Sequence, residues 1–140
     1  MTDDRLLRGF VPRIAGAGIL VLLTASCWWL WMDWDHGYHV DPATGVSSGP
    51  YQAWQVIGCA VCLIALGIAA TQRLPAWLVI VIMPLAFTTA WSVTAAAEDT
   101  TGLWAVGAVM IFLGVLGGTI VTALGGAALR RLTRAGDRPR

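Results

Sequence analysis

Five side chains able to bind a metal or carry a proton fall between residues 33 and 41: Asp33, Asp35, His36, His39 and Asp41. Imidazole and carboxylate together suit zinc, iron or nickel, and Asp35, His36 and His39 are the candidate metal ligands. Their spacing matches no zinc-finger or zincin pattern, and Gly37 interrupts any helix that would set His36 and His39 on one face. No cofactor is therefore expected. A second candidate chemistry is the pair Cys59 and Cys62, a CxxC, with Cys27 elsewhere in the chain. A redox thiol must ionise, which a helix N-terminus or a nearby cation favours. Cys59 instead lies eight residues beyond Tyr51 in an uncharged run, about 12 Å along a helix. Small buried hydrophobes are the competing role for both thiols, and an odd total of three cysteines does not make a disulfide framework.

What is missing narrows the function further. The chain has no Ser/His/Asp arrangement, no HExxH and no phosphate-cradling glycine loop, so an enzyme is not the favoured reading. Gly16 and Gly18 form a GxG, but in an apolar run without the strand-turn-helix setting of a nucleotide site.

The elements that must position these residues are set by hydropathy. Apolar residues make up 57% of the chain and charged residues 12%, too few charges to cover a soluble domain of 140 residues. Mean hydropathy is +0.70. The charges fall outside four long windows, at about 14–32, 51–72, 75–97 and 101–129. A helix needs about 20 residues to cross about 30 Å of hydrocarbon, and only helices or closed barrels satisfy their backbone there. The expected fold is an all-α integral membrane protein of four transmembrane helices in two antiparallel hairpins, spanning 14–129. Residues 1–13 form a lead and 130–140 a basic tail. The outer loop, 33–50, is rich in Gly, Pro, Ser and Asp and is expected to lack regular structure.

The ends of these windows carry opposite charge. All nine basic residues are Arg and, with Asp3, Asp4 and Asp137, give one side a net +6; Asp33, Asp35, Asp41, Glu98 and Asp99 give the other −5. Arg-rich segments stay inside, so both termini are expected in the cytoplasm, N-in and C-in, with the protein in the cell membrane. The C-terminal Arg read as topology determinants touching anionic headgroups, and no nucleic-acid partner is expected. The first window is no cleaved signal peptide, because Ala25, Ser26 and Cys27 run directly into Trp28, Trp29, Leu30 and Trp31.

Within the windows, three features bear on packing. Gly107, Gly114, Gly118, Thr122 and Gly126 form a small-residue stripe, beside which run Gly117, Val121 and Gly125. Such stripes let helices approach closely in lipid, against helix one at Ala15 to Gly18 or against another protomer. Trp28, Trp31, Trp54, Trp91 and Trp104 form an outer aromatic cluster: an interface belt, or the lining for a lipid, a quinone-like molecule or a partner helix. Pro84 should kink the third helix, with Thr88 and Thr89 taking up a freed carbonyl. A turn of a few residues at Gln72 to Pro75 makes helices two and three antiparallel neighbours. Pro12 is placed in the first turn of helix one, and Asp99 or Thr100 caps helix four. The fourth window is long enough that it must tilt, project into the cytoplasm or loosen at Gly125 and Gly126.

No charge is placed inside any window, which lowers the weight of proton-coupled transport. The leading functional expectation is a small non-enzymatic accessory or assembly subunit, with the bilayer and a larger membrane protein, or itself, as partners. A homo-oligomeric transporter or channel lined by Thr88, Thr89, Ser92 and Thr119 is the second. An outer-face metal or thiol redox site is the third.

Overall fold

A computed structural model describes residues 3–33, 39–40, 42–43, 45, 47–48 and 51–136. Four helices dominate: α1 Asp3–Met32, α2 Ala53–Arg73, α3 Ala76–Glu98 and α4 Trp104–Gly136. Each contains a stretch long and apolar enough to cross a membrane, Val11–Met32 in α1, all of α2 and α3, and Trp104–Arg134 in α4. The protein is membrane-embedded and helical.

Between α1 and α2 the chain is not wholly irregular, as the turn-rich composition led one to expect. β1 His39–Val40 pairs antiparallel with β2 Ser47–Ser48, His39 opposite Ser48 and Val40 opposite Ser47. Gly45 lies within this reversal at a φ of +66°, a conformation open to glycine at little steric cost.

Two helices are longer than their apolar windows. α1 begins at Asp3 and runs through Pro12, which is thus inside the helix rather than in its first turn. The carbonyl that Pro12 leaves unbonded, that of Arg8, precedes the apolar span, where water or headgroups can take it up. α4 neither ends nor loosens at Gly125 and Gly126 but continues to Gly136, carrying Arg130 to Arg134 on added turns. The support comes from α2: Gln72 Nε2 donates to the Gly126 carbonyl at 3.3 Å, and Gly126 lies against Thr71 and Ile68.

Packing partners are not the sequential ones throughout. α1 packs along α2 and α3, and α4 along α2 and α3, whereas α2 and α3 meet at few points and α1 does not meet α4 among the described residues. The short turn at Leu74 and Pro75 therefore joins α2 and α3 without making them the close neighbours expected. A tight turn constrains only helix ends; the long contacts are set by where backbones can approach. A Cβ on Gly67 of α2 would lie 2.8 Å from Thr122 Cγ2 of α4, and one on Gly58 would run into the Trp31 ring of α1. Between α2 and α3 stand the wholly buried Val79 and Met83 of α3, packed with Leu63, Leu66 and Ala70 of α2.

Two apolar clusters result. One, toward the Trp-rich end, groups Trp28, Met32, Cys59, Phe87 and Ala90; the other, toward the Arg-rich end, groups Leu20, Leu74, Val79 and Met83. Hydroxyls inside the bundle mostly turn back on their own helices. Thr71, Thr119 and Thr122 donate to the carbonyls of Ile68, Val115 and Gly118 at 2.7 to 2.8 Å.

If close approach sets this arrangement, Gly126→Val should destabilise the isolated chain by about 1–3 kcal/mol, the usual range for overpacking. Gly125→Val, where a Cβ meets nothing within 4 Å, should be near neutral by the same thermal or SDS unfolding measurement.

Candidate functional site

The Trp-rich end carries the most developed candidate site. Phe87, Trp91, Thr94 and Glu98 recur at helical spacing on α3 and turn one face toward α1 and α4. Trp28 of α1 fills the space before them and is 2% exposed. Its ring meets Phe87 edge-on at 5.9 Å and Tyr51 edge-on at 5.7 Å, and its Nε1 donates to Thr94 Oγ1 at 3.4 Å. Trp91 reaches α4 because Gly107 has no Cβ; one there would come within 2.6 Å of the ring. A cavity of about 450 Å³ remains, walled by Trp28, Tyr51, Trp91 and Trp104, with Glu98 and Asp99 also lining it.

The expected aromatic residues share this end of the bundle, with Trp31 and Trp91 both packed against the cluster that holds Trp28, but they do not all line the cavity. Trp28, Trp91 and Trp104 share the cavity, while Trp31 and Trp54 pair edge-on at 6.2 Å on α1 and α2. Trp54 Nε1 donates to Gln52 Oε1 at 2.8 Å, whereas the buried Trp31 Nε1 has no partner. Tyr51, Phe87 and Thr94 belong with the first group and were not among the cluster expected from tryptophan alone. The 87, 91, 94, 98 periodicity would have found the α3 members. Aromatic walls of this kind can take a planar apolar group, or an organic cation on a ring face.

The carboxylates beside the cavity do structural work first. Asp99 Oδ1 accepts from the Thr101 hydroxyl and from the Thr101 N–H, each at 2.7 Å, and Oδ2 accepts from the Trp104 N–H at 3.2 Å. Thr101 Oγ1 in turn accepts from the Leu103 N–H at 3.4 Å. Asp99 and Thr101 together, rather than Thr100, therefore cap the start of α4, and Gly102 at a φ of +76° lets the turn close.

The remaining candidates are dispersed. Cys59 is buried against Trp28 and Phe87, with its Sγ 4.0 Å from the Cys27 carbonyl; Cys62 is half-buried, and all three thiols are free. Thr89 lines an apolar groove of about 400 Å³ between α1 and α3, while Thr119 lines one of about 200 Å³ between α2 and α4. The Thr88 hydroxyl is buried without a partner, so it does not take up a carbonyl freed by Pro84, around which α3 continues unbroken. Thr89 and Thr119 thus line different grooves. Asp35 and His36, and the side chain of His39, lie outside the described residues.

The small-residue stripe of α4 is also split. Gly107 and Gly126 press on Trp91 and Thr71, and Thr122 presses on Gly67, all within the chain. At Gly114 and Gly118, as at Gly117 and Gly125, an added Cβ would meet nothing within 4 Å. None of them faces α1, whose Gly16 lies instead against Leu74.

Two outcomes follow from this geometry. Removing the Trp28 ring (Trp28→Ala) should cost about 3–5 kcal/mol of stability, as for other buried aromatics, with Trp28→Phe milder. The Thr101 hydroxyl, then its N–H and those of Trp104 and Gly102, hold the Asp99 carboxyl below the ordinary aspartate value. The cap is accordingly intact above that value, about 3.9, and is lost as pH falls through the lowered folded-state value. The amide resonances of Thr101 and Trp104 should titrate together with a midpoint below about 3.9, and Asp99→Asn should abolish that titration. Comparison with protein-family models, with curated proteins and with solved structures finds no match to this chain.

Proposed function

We propose that this protein is a small, non-enzymatic accessory subunit of the cell membrane that binds a transmembrane helix of a larger membrane protein along the middle of α4. In this reading the bundle is two antiparallel hairpins, α1 with α2 and α3 with α4, and the Arg-rich end with both termini faces the cytoplasm.

The observation that carries the reading is the open middle of α4. Gly114, Gly117, Gly118 and Gly125 are exposed, and no side chain of the chain itself comes near the position of a Cβ. Beside Gly114 and Gly118 runs the groove bounded by Ala60, Leu63 and Ile64 of α2, with Met83 among its lining residues. In hydrocarbon, apolar side chains gain little by leaving lipid for protein, and helix association relies on close contact at small residues. Glycines that the chain's own packing does not require are what a second helix would use. The ends of the same stripe, Gly107 and Gly126, serve the bundle itself, so the two roles can be separated by mutation.

The test is native mass spectrometry of the tagged protein extracted gently in its own lipid. A larger membrane protein should co-purify in fixed ratio. Gly118→Leu should weaken that complex by about tenfold or more, equivalent to ~1.4 kcal/mol, while leaving the unfolding temperature of the isolated chain unchanged. A chain recovered alone, or a complex indifferent to Gly114→Leu and Gly118→Leu, would sink the proposal.

A further inference from the structure

The Arg-rich end of the bundle is a built cleft rather than a scatter of charges. Arg13 of α1, Arg73 of α2, and Arg130, Arg131 and Arg134 of α4 line one space of about 660 Å³. These arginines are far apart in sequence and come from three helices. A role in setting topology asks only that they lie on the same side, and does not ask that they converge. Asp33, Glu98 and Asp99 stand at the other ends of their helices; Asp3 and Asp4 begin α1 on the same side as the arginines, but no carboxylate is among the described residues that line this cleft. Among the described residues the cleft's lining thus carries five positive side chains and no negative one, which favours an anion that enters.

Two further features add to the field and to the shape. α3 starts here at Pro75 with no side-chain cap and no acidic residue in its first turn, so the positive end of its dipole is left uncompensated at the same place. One wall is apolar: Leu74, Pro75, Trp77 and Leu78 line the cleft beside the arginines, and Trp77 is 65% exposed. A small inorganic phosphate makes no use of such a wall. A phospholipid does, because its phosphate and its glycerol and upper acyl carbons are held side by side at the depth where the apolar spans end. Each guanidinium offers a planar fork to phosphate oxygens, and five forks exceed what one phosphate diester can accept.

We propose that this cleft binds the headgroup of an anionic phospholipid that carries two phosphate groups. Bound there, the headgroup bridges α1, α2 and α4 at the N-terminus of α3 and offsets the repulsion among the arginines.

The experiment uses the whole chain in nanodiscs containing either diphosphatidylglycerol, with two phosphates, or phosphatidylglycerol, with one, at matched total charge. Retention after transfer to detergent is read by native mass spectrometry. The two-phosphate lipid should be retained about tenfold more than the one-phosphate lipid. Arg73→Gln combined with Arg130→Gln should remove that preference while the protein keeps its helical circular dichroism. Equal retention of the two lipids at matched charge would overturn the proposal, and this comparison needs only the unaltered chain, so it decides even if the double variant does not fold. A preference that survives in the folded double variant would overturn it too. Displacement of the lipid by equimolar inorganic pyrophosphate would assign the cleft to a soluble diphosphate compound and refute the lipid.

Discussion

Close approach of backbones at a few glycines is the constraint on which this bundle depends. Inside a bilayer the hydrophobic effect does not draw helices together, since lipid chains are as apolar as leucine; contact has to come from fitting one helix surface to another. Gly58 admits Trp31, Gly67 admits Thr122, Gly107 admits Trp91 and Gly126 admits Thr71. These four contacts tie α1 to α2, α2 to α4 twice, and α4 to α3. α2 and α3, though joined by a turn of two residues, meet at few points, with Val79 and Met83 of α3 buried between them.

That pattern separates the molecule into regions with different physical character. The Trp-rich end is fixed by aromatic edges and by a turn whose carboxylate is already committed to the backbone of α4. The interior is largely apolar; Thr71, Thr119 and Thr122 fold back onto carbonyls of their own helices, while the hydroxyls of Thr24 and Thr88 are buried without a partner. The Arg-rich end gathers like charges with no compensating carboxylate among the cleft's lining residues. Chemistry of recognition is thereby confined to the two ends, where water and headgroups meet the protein, and the middle offers only shape.

Much of this can be read from residue order. The four apolar windows predict α2 and α3 to within a residue or two at most ends, because hydrocarbon leaves an uncharged segment of that length little alternative to a helix. The windows could not place the ends of α1 and α4, which continue past the apolar spans into residues that water would equally accept as helix or coil. Tryptophan counting identified the aromatic end but not which rings meet edge to edge: Trp31 pairs with Trp54, and Trp28 with Tyr51 and Phe87. Ring neighbours depend on which helix faces which, and Phe87, Tyr51 and Thr94 were invisible to a count of one residue type.

Membrane residence, four helices long and apolar enough to cross, and the separation of acidic from basic flanks follow from composition and order alone, since each is a local property of a window or its flanks. Which glycines of α4 the chain uses for itself, and that five arginines from three helices converge on one cleft, follow only from tertiary structure. The physical reason is the same in both cases. A stripe or a charge is one-sided until a neighbour is placed against it, and that placement depends on contacts such as Gly67 with Thr122, between residues more than fifty positions apart in the chain.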